Sequence, residues 1–240
     1  MKAKHILLGG GTGMKVLLIM LALLLFLLLT SAQATTYYVD KNCTHGCNNS
    51  DNKCLGSEWL DNPFVTGTSW EAPWCAIGSA LYKADDGDTI IVAPGNYFEH
   101  VSIGKNITLR SEAGPENTAI REAFSYDPGK VAVSPQVNAE IDGFTIAGSN
   151  EACTQWEPGG ECSDMGHYQG QPPDPPEGAG IYAGDGSSLI VKNSIIKNNS
   201  GNQAGGIMCQ GCTLTVINST VKCNYGVHAG GGIVNPKTAF

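Results

Sequence analysis

The feature that most limits what this chain can fold into is a stretch that repeats itself. "LIVKNSIIKNN" (residues 189–199) aligns with "LTVINSTVKCN" (residues 214–224) at a spacing of 25. Val191 maps to Val216, Asn193 to Asn218, Ile196 to Val221, Lys197 to Lys222 and Asn199 to Asn224. Ala179-Gly180-Ile181, Gly205-Gly206-Ile207 and Gly231-Gly232-Ile233 recur beside them at 26, and "EIDGFTIAG" (residues 140–148) is a weaker upstream copy. Within a unit Leu214 and Val216 fall on one face and Thr213 and Thr215 on the other, which is strand periodicity. One such unit cannot bury its apolar face alone, so neighbours must stack. No amphipathic helix separates the runs, which argues against a βαβ sheet. Several short strands per unit instead predict an all-β solenoid, a parallel β-helix whose coils stack about 4.8 Å apart. Asn193 with Asn218, and Asn199 with Asn224, then stack at corners, where amides bond along the axis. The 31 glycines and the 15% share of charged residues suit strands and tight turns better than helices.

The chain begins with Lys2, Lys4 and Lys15, then an apolar run at 16–29 (VLLIMLALLLFLLL), then Ser31-Ala32-Gln33-Ala34. A basic region, a short apolar region and an A-x-A-like site define a secretory signal peptide over 1–34. The run would span only about 21 Å as a helix, short of a bilayer core of about 30 Å, so the mature chain is expected not to insert in a membrane. Met14 is an alternative start. Gly9-Gly10-Gly11-Thr12-Gly13 lies in this leader and is not a phosphate loop. The formal charge of −8 becomes more negative once the leader's lysines are removed, which disfavours nucleic acid as a partner. The expected location is secreted or cell-surface. An oxidising compartment means that the 9 cysteines are read first as disulfides.

Residues 35–73 form a Cys-rich N-terminal cap segment, opening with a strand in "TTYYVDKNC". Cys43, Cys47, Cys54 and Cys75 can make two disulfides with three connectivities, a four-cysteine zinc site being the alternative. The β-helix then runs over 74–240. A helix over 74–84 presents Ile77, Ala80, Leu81 and Ala84 on one face and caps the first coil. Strands follow at 89–93, 101–103 and 107–110. The C-terminal "AGGGIVNPKTAF" begins another coil and stops after its first strand, so truncation is expected there. Five Asn-x-Ser/Thr sites, at Asn42, Asn48, Asn106, Asn198 and Asn218, matter only in a host that glycosylates.

"ADDGDTIIVAPGNYFEHVSIGKNITLRS", "AEIDGFTIAG" and the "GGI…LTVINSTV" units resemble right-handed parallel β-helix proteins of the pectin-lyase-like superfamily. The resemblance runs from residue 74 to the C-terminus, except for one insertion. It implies the right-handed fold and leaves activity open, because that superfamily holds polysaccharide lyases, glycoside hydrolases, epimerases and surface proteins with no known catalysis.

The insertion, residues 148–177, has no strand pattern. Trp156, His167 and Tyr168 stand there among Glu151, Glu157, Glu161 and Asp164, a mixture suited to sugar stacking or calcium, or to a simple surface loop. Cys153 and Cys162 are candidates to staple it. On the coils the charged candidates are Asp142, Asp185, Lys197 and Lys222. Each has a plain explanation: the aspartates sit beside glycines in turns, and lysines are ordinarily solvated. The carboxylate-plus-base motifs that a lyase on this fold implies, with calcium as cofactor, are not evident on the coils, and no metal site is assigned. Cys209-Gln210-Gly211-Cys212 with Cys223 and His228 would suggest zinc, but the repeat places them at different corners. A local Cys209–Cys212 disulfide, or two loose thiols in a turn, fits better, with Cys223 left single.

Two functions remain. One is a secreted or cell-surface scaffold for carbohydrate binding or adhesion, meeting extracellular polysaccharide or a cell-surface partner. The other is a carbohydrate-active enzyme, a lyase or epimerase acting on acidic polysaccharide.

Overall fold

The computed structural model describes residues 33–42, 47–48, 53–54, 66–121, 129–148, 179–201, 203–226 and 228–236, together with Met20. The described strands all belong to the unit Ala34–Phe240. In chain order, β1 (Thr36–Val39), β2 (Cys47–Asn48) and β3 (Lys53–Cys54) precede one short helix, α1 (Ile77–Lys83). There follow β4 (Thr89–Val92), β5 (Gly95–Phe98), β6 (Val101–Ile103), β7 (Ile107–Ser111), β8 (Thr118–Arg121), β9 (Gly129–Val133), β10 (Asn138–Asp142) and β11 (Thr145–Ala147). The chain continues through β12 (Ala179–Ala183), β13 (Ser188–Lys192), β14 (Ile195–Lys197), β15 (Ser200–Gly201), β16 (Ile207–Cys209), β17 (Thr213–Ile217), β18 (Thr220–Lys222), β19 (Tyr225–Gly226) and β20 (Ile233–Val234).

Three long sheets collect all of these strands but β2, β3, β15 and β19, and every pairing within them is parallel. Sheet 1 has the order β1-β4-β7-β10-β13-β17, sheet 2 the order β5-β8-β11-β14-β18, and sheet 3 the order β6-β9-β12-β16-β20. The chain visits sheets 1, 2 and 3 in turn and then starts the next coil, which is the parallel β-helix expected from the repeats. The register agrees with the sequence alignment residue for residue: Leu189 pairs with Leu214, Val191 with Val216, Ile196 with Val221, and Ile207 with both Ile181 and Ile233.

The interior is built from columns that alternation turns inward. Ile90, Leu109, Ile141 and Val191 stack from sheet 1, Tyr97, Ile120, Ile146 and Ile196 from sheet 2, and Val101, Val131, Ile181 and Ile207 from sheet 3, all buried. Corners are set by backbone that turns left-handed. After sheet 1 these positions are Gly143, Asn193 and Asn218, and after sheet 2 they are Asn198 and Cys223. Asparagine tolerates that conformation, and its amide adds a bond along the axis. Asn218 Nδ2 donates to Asn193 Oδ1 at 2.8 Å, and Asn199 Nδ2 donates to Asn224 Oδ1 at 3.0 Å.

The helix covers the first coil with Ile77, Ala80 and Leu81, as the apolar spacing requires, but it is shorter than 74–84. The reason lies in the backbone of Trp74. Its N–H donates to the Tyr38 carbonyl at 2.8 Å, and its carbonyl accepts from the Asp40 N–H at 2.9 Å. Trp74 therefore bridges to Val39 as an extra strand position at the edge of sheet 1 and is withdrawn from the helix. With no capping side chain at Ala76, the helix start is held by Glu99, whose carboxylate accepts from the N–H groups of Ile77 and Gly78, each at 2.9 Å. Lys105 closes the other end on the carbonyls of Tyr82 and Ala84.

The leader is outside the described residues except for Gln33, Ala34 and Met20, and Cys43, Cys153 and Cys162 are outside them entirely. Cys75 is disulfide-bonded. Cys47 lies opposite Cys54 in the antiparallel backbone pair β2–β3. No helix among the described residues is long and apolar enough to cross a membrane.

Candidate ligand-binding face

Because Tyr97, Ile120, Ile146, Ile196 and Val221 point inward from sheet 2, the positions flanking them point out. Register makes these into two outer columns. One holds Asn96, Ala119, Thr145, Ile195 and Thr220, and the other holds Phe98, Arg121, Ala147, Lys197 and Lys222. Lys197 and Lys222 are thus direct neighbours across the ladder, as their alignment in the repeat anticipates. Arg121 stands two strands below Lys197, with the small Ala147 between them. Phe98, 62% exposed, ends the column beside Arg121.

Arg121 and Lys197 line one open cleft of about 280 Å³ with Asn96, Glu116, Asn117 and Thr145. Pro115, Glu116 and Asn117 form one wall, and Thr145 Oγ1 ties that wall down by donating to the Pro115 carbonyl at 2.7 Å. Arg121 Nε donates to Asn96 Oδ1 at 2.9 Å, which fixes the guanidinium over sheet 2. Neither Lys197 nor Lys222 forms an ion pair among the described residues.

The outer face of sheet 1 is different. Arg110, Asp142 and Lys192 share a column, and Lys192 Nζ pairs with Glu140 Oε1 at 2.9 Å. Asp142 Oδ1 accepts from Asn193 Nδ2 at 2.7 Å, so this carboxylate terminates the asparagine ladder. The sequence reading puts Asp142 in a turn, whereas it is the last residue of β10, just before the left-handed Gly143, and its bond crosses from one coil to the next. Asp185 also has a structural place. It sits in the turn between β12 and β13, directly beneath Gly211, whose left-handed backbone (φ +65°) leaves room for the carboxylate only because no Cβ is present. Asp142 and Asp185 lie at different corners and do not converge with Lys197 and Lys222.

Cys209 and Cys212 are bonded to each other, with Cα atoms 5.2 Å apart and both residues buried in the core. This settles the C-x-x-C question: the motif closes the turn between β16 and β17, and the zinc reading fails because two of its ligands are consumed. Cys223 is a free, half-buried thiol at the corner position that Asn198 holds in the coil beneath. Among the described residues no three His, Cys, Asp or Glu side chains gather to hold a metal ion. The insertion candidates Trp156, Asp164, His167 and Tyr168 lie outside the described residues.

Glu99 has a shifted affinity for protons. Burial raises Glu99 above the usual carboxylate range, and the bonds from Gly78 and Ile77 oppose this only in part. Its role is to join the first coil to the cap helix. Sequence reasoning missed Arg121 and Phe98 altogether. The only available signal was their place at the end of β-rich runs, with no constant period to align them.

No protein-family model matches the chain. A stretch of 63 residues is 38% identical to a cell surface glycoprotein of Methanothermus fervidus, covering 26% of this chain and 10% of that protein. Among solved structures, the pectin methylesterase PemA from Erwinia chrysanthemi aligns over 82% of this chain and 55% of its own, with a TM-score of 0.41 and 12% identity. The chain thus spans about a tenth of the curated relative and about half of the solved one. By its own strand register the chain is a parallel β-helix, the architecture of the pectin-lyase-like proteins that its repeats resemble.

Proposed function

We propose that this chain is a secreted or cell-surface β-helix scaffold that binds carbohydrate on the outer face of sheet 2. The observation that carries the reading is the composition of that face: an exposed aromatic ring, Phe98, in line with Arg121, Lys197 and Lys222, of which the two lysines form no ion pair among the described residues, beside an open cleft lined in part by the amides of Asn96 and Asn117. A pyranose ring offers an apolar C–H face to an aromatic side chain and hydroxyls to polar groups, so both halves of the contact are provided. Of the strands beneath, β8, β11 and β14 are paired on both sides, so little ordering entropy is spent on binding there. The 63-residue likeness to a cell surface glycoprotein supports the location.

The test is affinity electrophoresis of the folded protein through gels containing neutral and acidic polysaccharides, with Phe98→Ala alongside. Retardation by at least one polymer, reduced in Phe98→Ala, is the expected result. No retardation by any polymer defeats the reading. Appearance of unsaturated product in the ultraviolet during incubation with a uronate polymer would replace the scaffold with the lyase alternative.

A further inference from the structure

Asp88 is an exception among the inward-facing residues of sheet 1. Thr89 pairs with Thr108, so Asp88, one residue earlier, stands at the register of Ile107. Ile107 heads a column that continues through Ala139, Leu189 and Leu214. The strands above β4 thus put an apolar side chain at this position, whereas the first coil puts a carboxylate there that is only 4% exposed. A buried carboxylate is costly unless a cation or good donors answer it. Asp88 Oδ2 accepts from the Asp85 N–H at 2.7 Å, within its own turn. Asp88 Oδ1 accepts from the Thr35 N–H at 2.6 Å, across 53 residues of chain. Neither donor carries a charge. Lys105 is paired with Asp85 at 3.9 Å and with the carbonyls of Tyr82 and Ala84. Asp88 forms no ion pair among the described residues.

We propose that the peptide bond between Ala34 and Thr35 is a processing site, and that the α-ammonium released there is the cation that Asp88 receives. Two independent observations meet at this bond. In the sequence, Ala32-Gln33-Ala34 is the A-x-A-like tripeptide after which a leader peptidase cuts. In the structure, Ala34 is exposed, while Thr35 is joined to the first coil on both sides: its N–H donates to Asp88, and its carbonyl accepts from the Thr89 N–H at 2.9 Å. The step is a hydrolysis catalysed by a peptidase in trans. Water gives its hydroxyl to the Ala34 carbonyl and a proton to the Thr35 nitrogen, and the acid proton then passes to the amine. A nitrogen that offers one neutral N–H becomes an ammonium, already placed against Oδ1. Charge-assisted hydrogen bonds are about twice as strong as neutral ones. A cut one residue away would carry the charge about 3.3 Å along the chain and off the carboxylate. Because Thr35 is held on both sides, the cut precedes the joining of β1 to sheet 1. Removal of the leader therefore strengthens closure of the first coil.

The experiment exports the full-length precursor from a bacterial host and determines the first residue of the released protein by mass spectrometry. Thr35 is expected, and any other first residue overturns the proposal. The α-amine of the released protein is then titrated through its rate of acetylation by acetic anhydride against pH, read on the N-terminal peptide. Its midpoint is expected about one unit above that of the same protein denatured in urea, so that at neutral pH the folded amine reacts about tenfold more slowly. Asp88→Asn is expected to return the midpoint to the denatured value. Asp85 and Asp86 in the same turn and Lys105 beside it are unchanged in that variant, so it isolates one charge. Tyr37 on β1 also faces this corner, its hydroxyl pushed up by burial and then by the charges of Asp88 and Asp85. Steric cover alone would slow the reaction without moving the midpoint. An unmoved midpoint in the folded protein, or one that Asp88→Asn leaves raised, therefore overturns the pairing. If Asp88→Asn does not fold, the difference between the folded and denatured midpoints of the unmodified protein decides the matter.

Discussion

Asn199 Nδ2 lies 3.0 Å from the carbonyl oxygen of Ile146, a residue 53 positions earlier in the chain. The same amide nitrogen donates to Asn224 Oδ1 in the coil above, and Asn224 Nδ2 in turn donates to the Ile196 carbonyl at 2.9 Å. Asn199 is buried, so removing its side chain leaves the Ile146 carbonyl without that donor and away from water. Asn199→Ala should lower stability by about 1–3 kcal/mol per group left unpaired. Asn218→Ala, in the exposed ladder at the other corner, should cost less than about 1 kcal/mol, because water replaces the lost bond. Urea denaturation of the two variants measures the contrast, and equal losses would contradict the role given to burial.

Glu99 makes stability depend on pH in a definite direction. Its carboxyl holds a proton more readily in the folded chain than in the unfolded one. The stability this contributes is therefore fully present below the ordinary carboxylate range and is lost as pH rises through the elevated folded value. The wild-type chain should gain stability over Glu99→Gln as the solution is acidified from neutral towards that range. Thermal midpoints of both proteins across the acidic range show it, and parallel curves would remove Glu99 as the cause.

Gly211 and Asp185 should behave as a coupled pair. A Cβ at Gly211 meets the Asp185 carboxylate and also strains a left-handed residue. Gly211→Ala should cost about 1–2 kcal/mol from the backbone alone, with the collision added. In Asp185→Ala/Gly211→Ala the collision is gone, so the double variant should be less destabilised than the sum of the single ones. Additive losses in a double-mutant cycle would show that the turn absorbs the extra methyl without touching Asp185.

The disulfide spans a separation of only 3 residues, so the entropy it removes from the unfolded chain is modest. Register places Cys209 over Ala183, and the turn places Cys212 over Ser187. Cys209→Ala/Cys212→Ser therefore copies the coil beneath. It should fold with the same circular dichroism and lose about 2 kcal/mol. Loss of the fold would mean that the bond does more than close a turn.

The upper coils were legible because β13 and β17 are the same length, start at equivalent residues and differ by a constant spacing. Lys222 over Lys197 and the two asparagine ladders follow from that alone. The lower coils were not legible to the same degree. Thr89 pairs with Thr108, but Ile107 pairs with Ala139, since the segments at 112–117 and 122–128 lengthen one coil and not the other. No fixed offset then brings Phe98 or Arg121 into line with the lysines. Trp74 shows a second limit. Its apolar spacing suits a helix, and what withdraws it is a backbone pairing with β1 across a stretch of sequence that carries no repeat. Asp142 shows a third: its partner Asn193 follows a long insertion, so the bond joins neighbours in space that are remote in sequence.

The corner between sheets 2 and 3 takes up most of the variation in coil length. The chain there spans 99–100 in the first coil, 122–128 in the next, 148–178 in the third and 198–206 in the fourth, whereas the corner between sheets 3 and 1 varies by a single residue. Axial hydrogen bonds fix the rise of each coil regardless of how far the chain travels before it returns. Circumference and pitch are thus independent in this molecule. New sequence can be added at one vertex without disturbing the register of the column on which Lys197 and Lys222 stand, so decoration and support are free to change at separate rates.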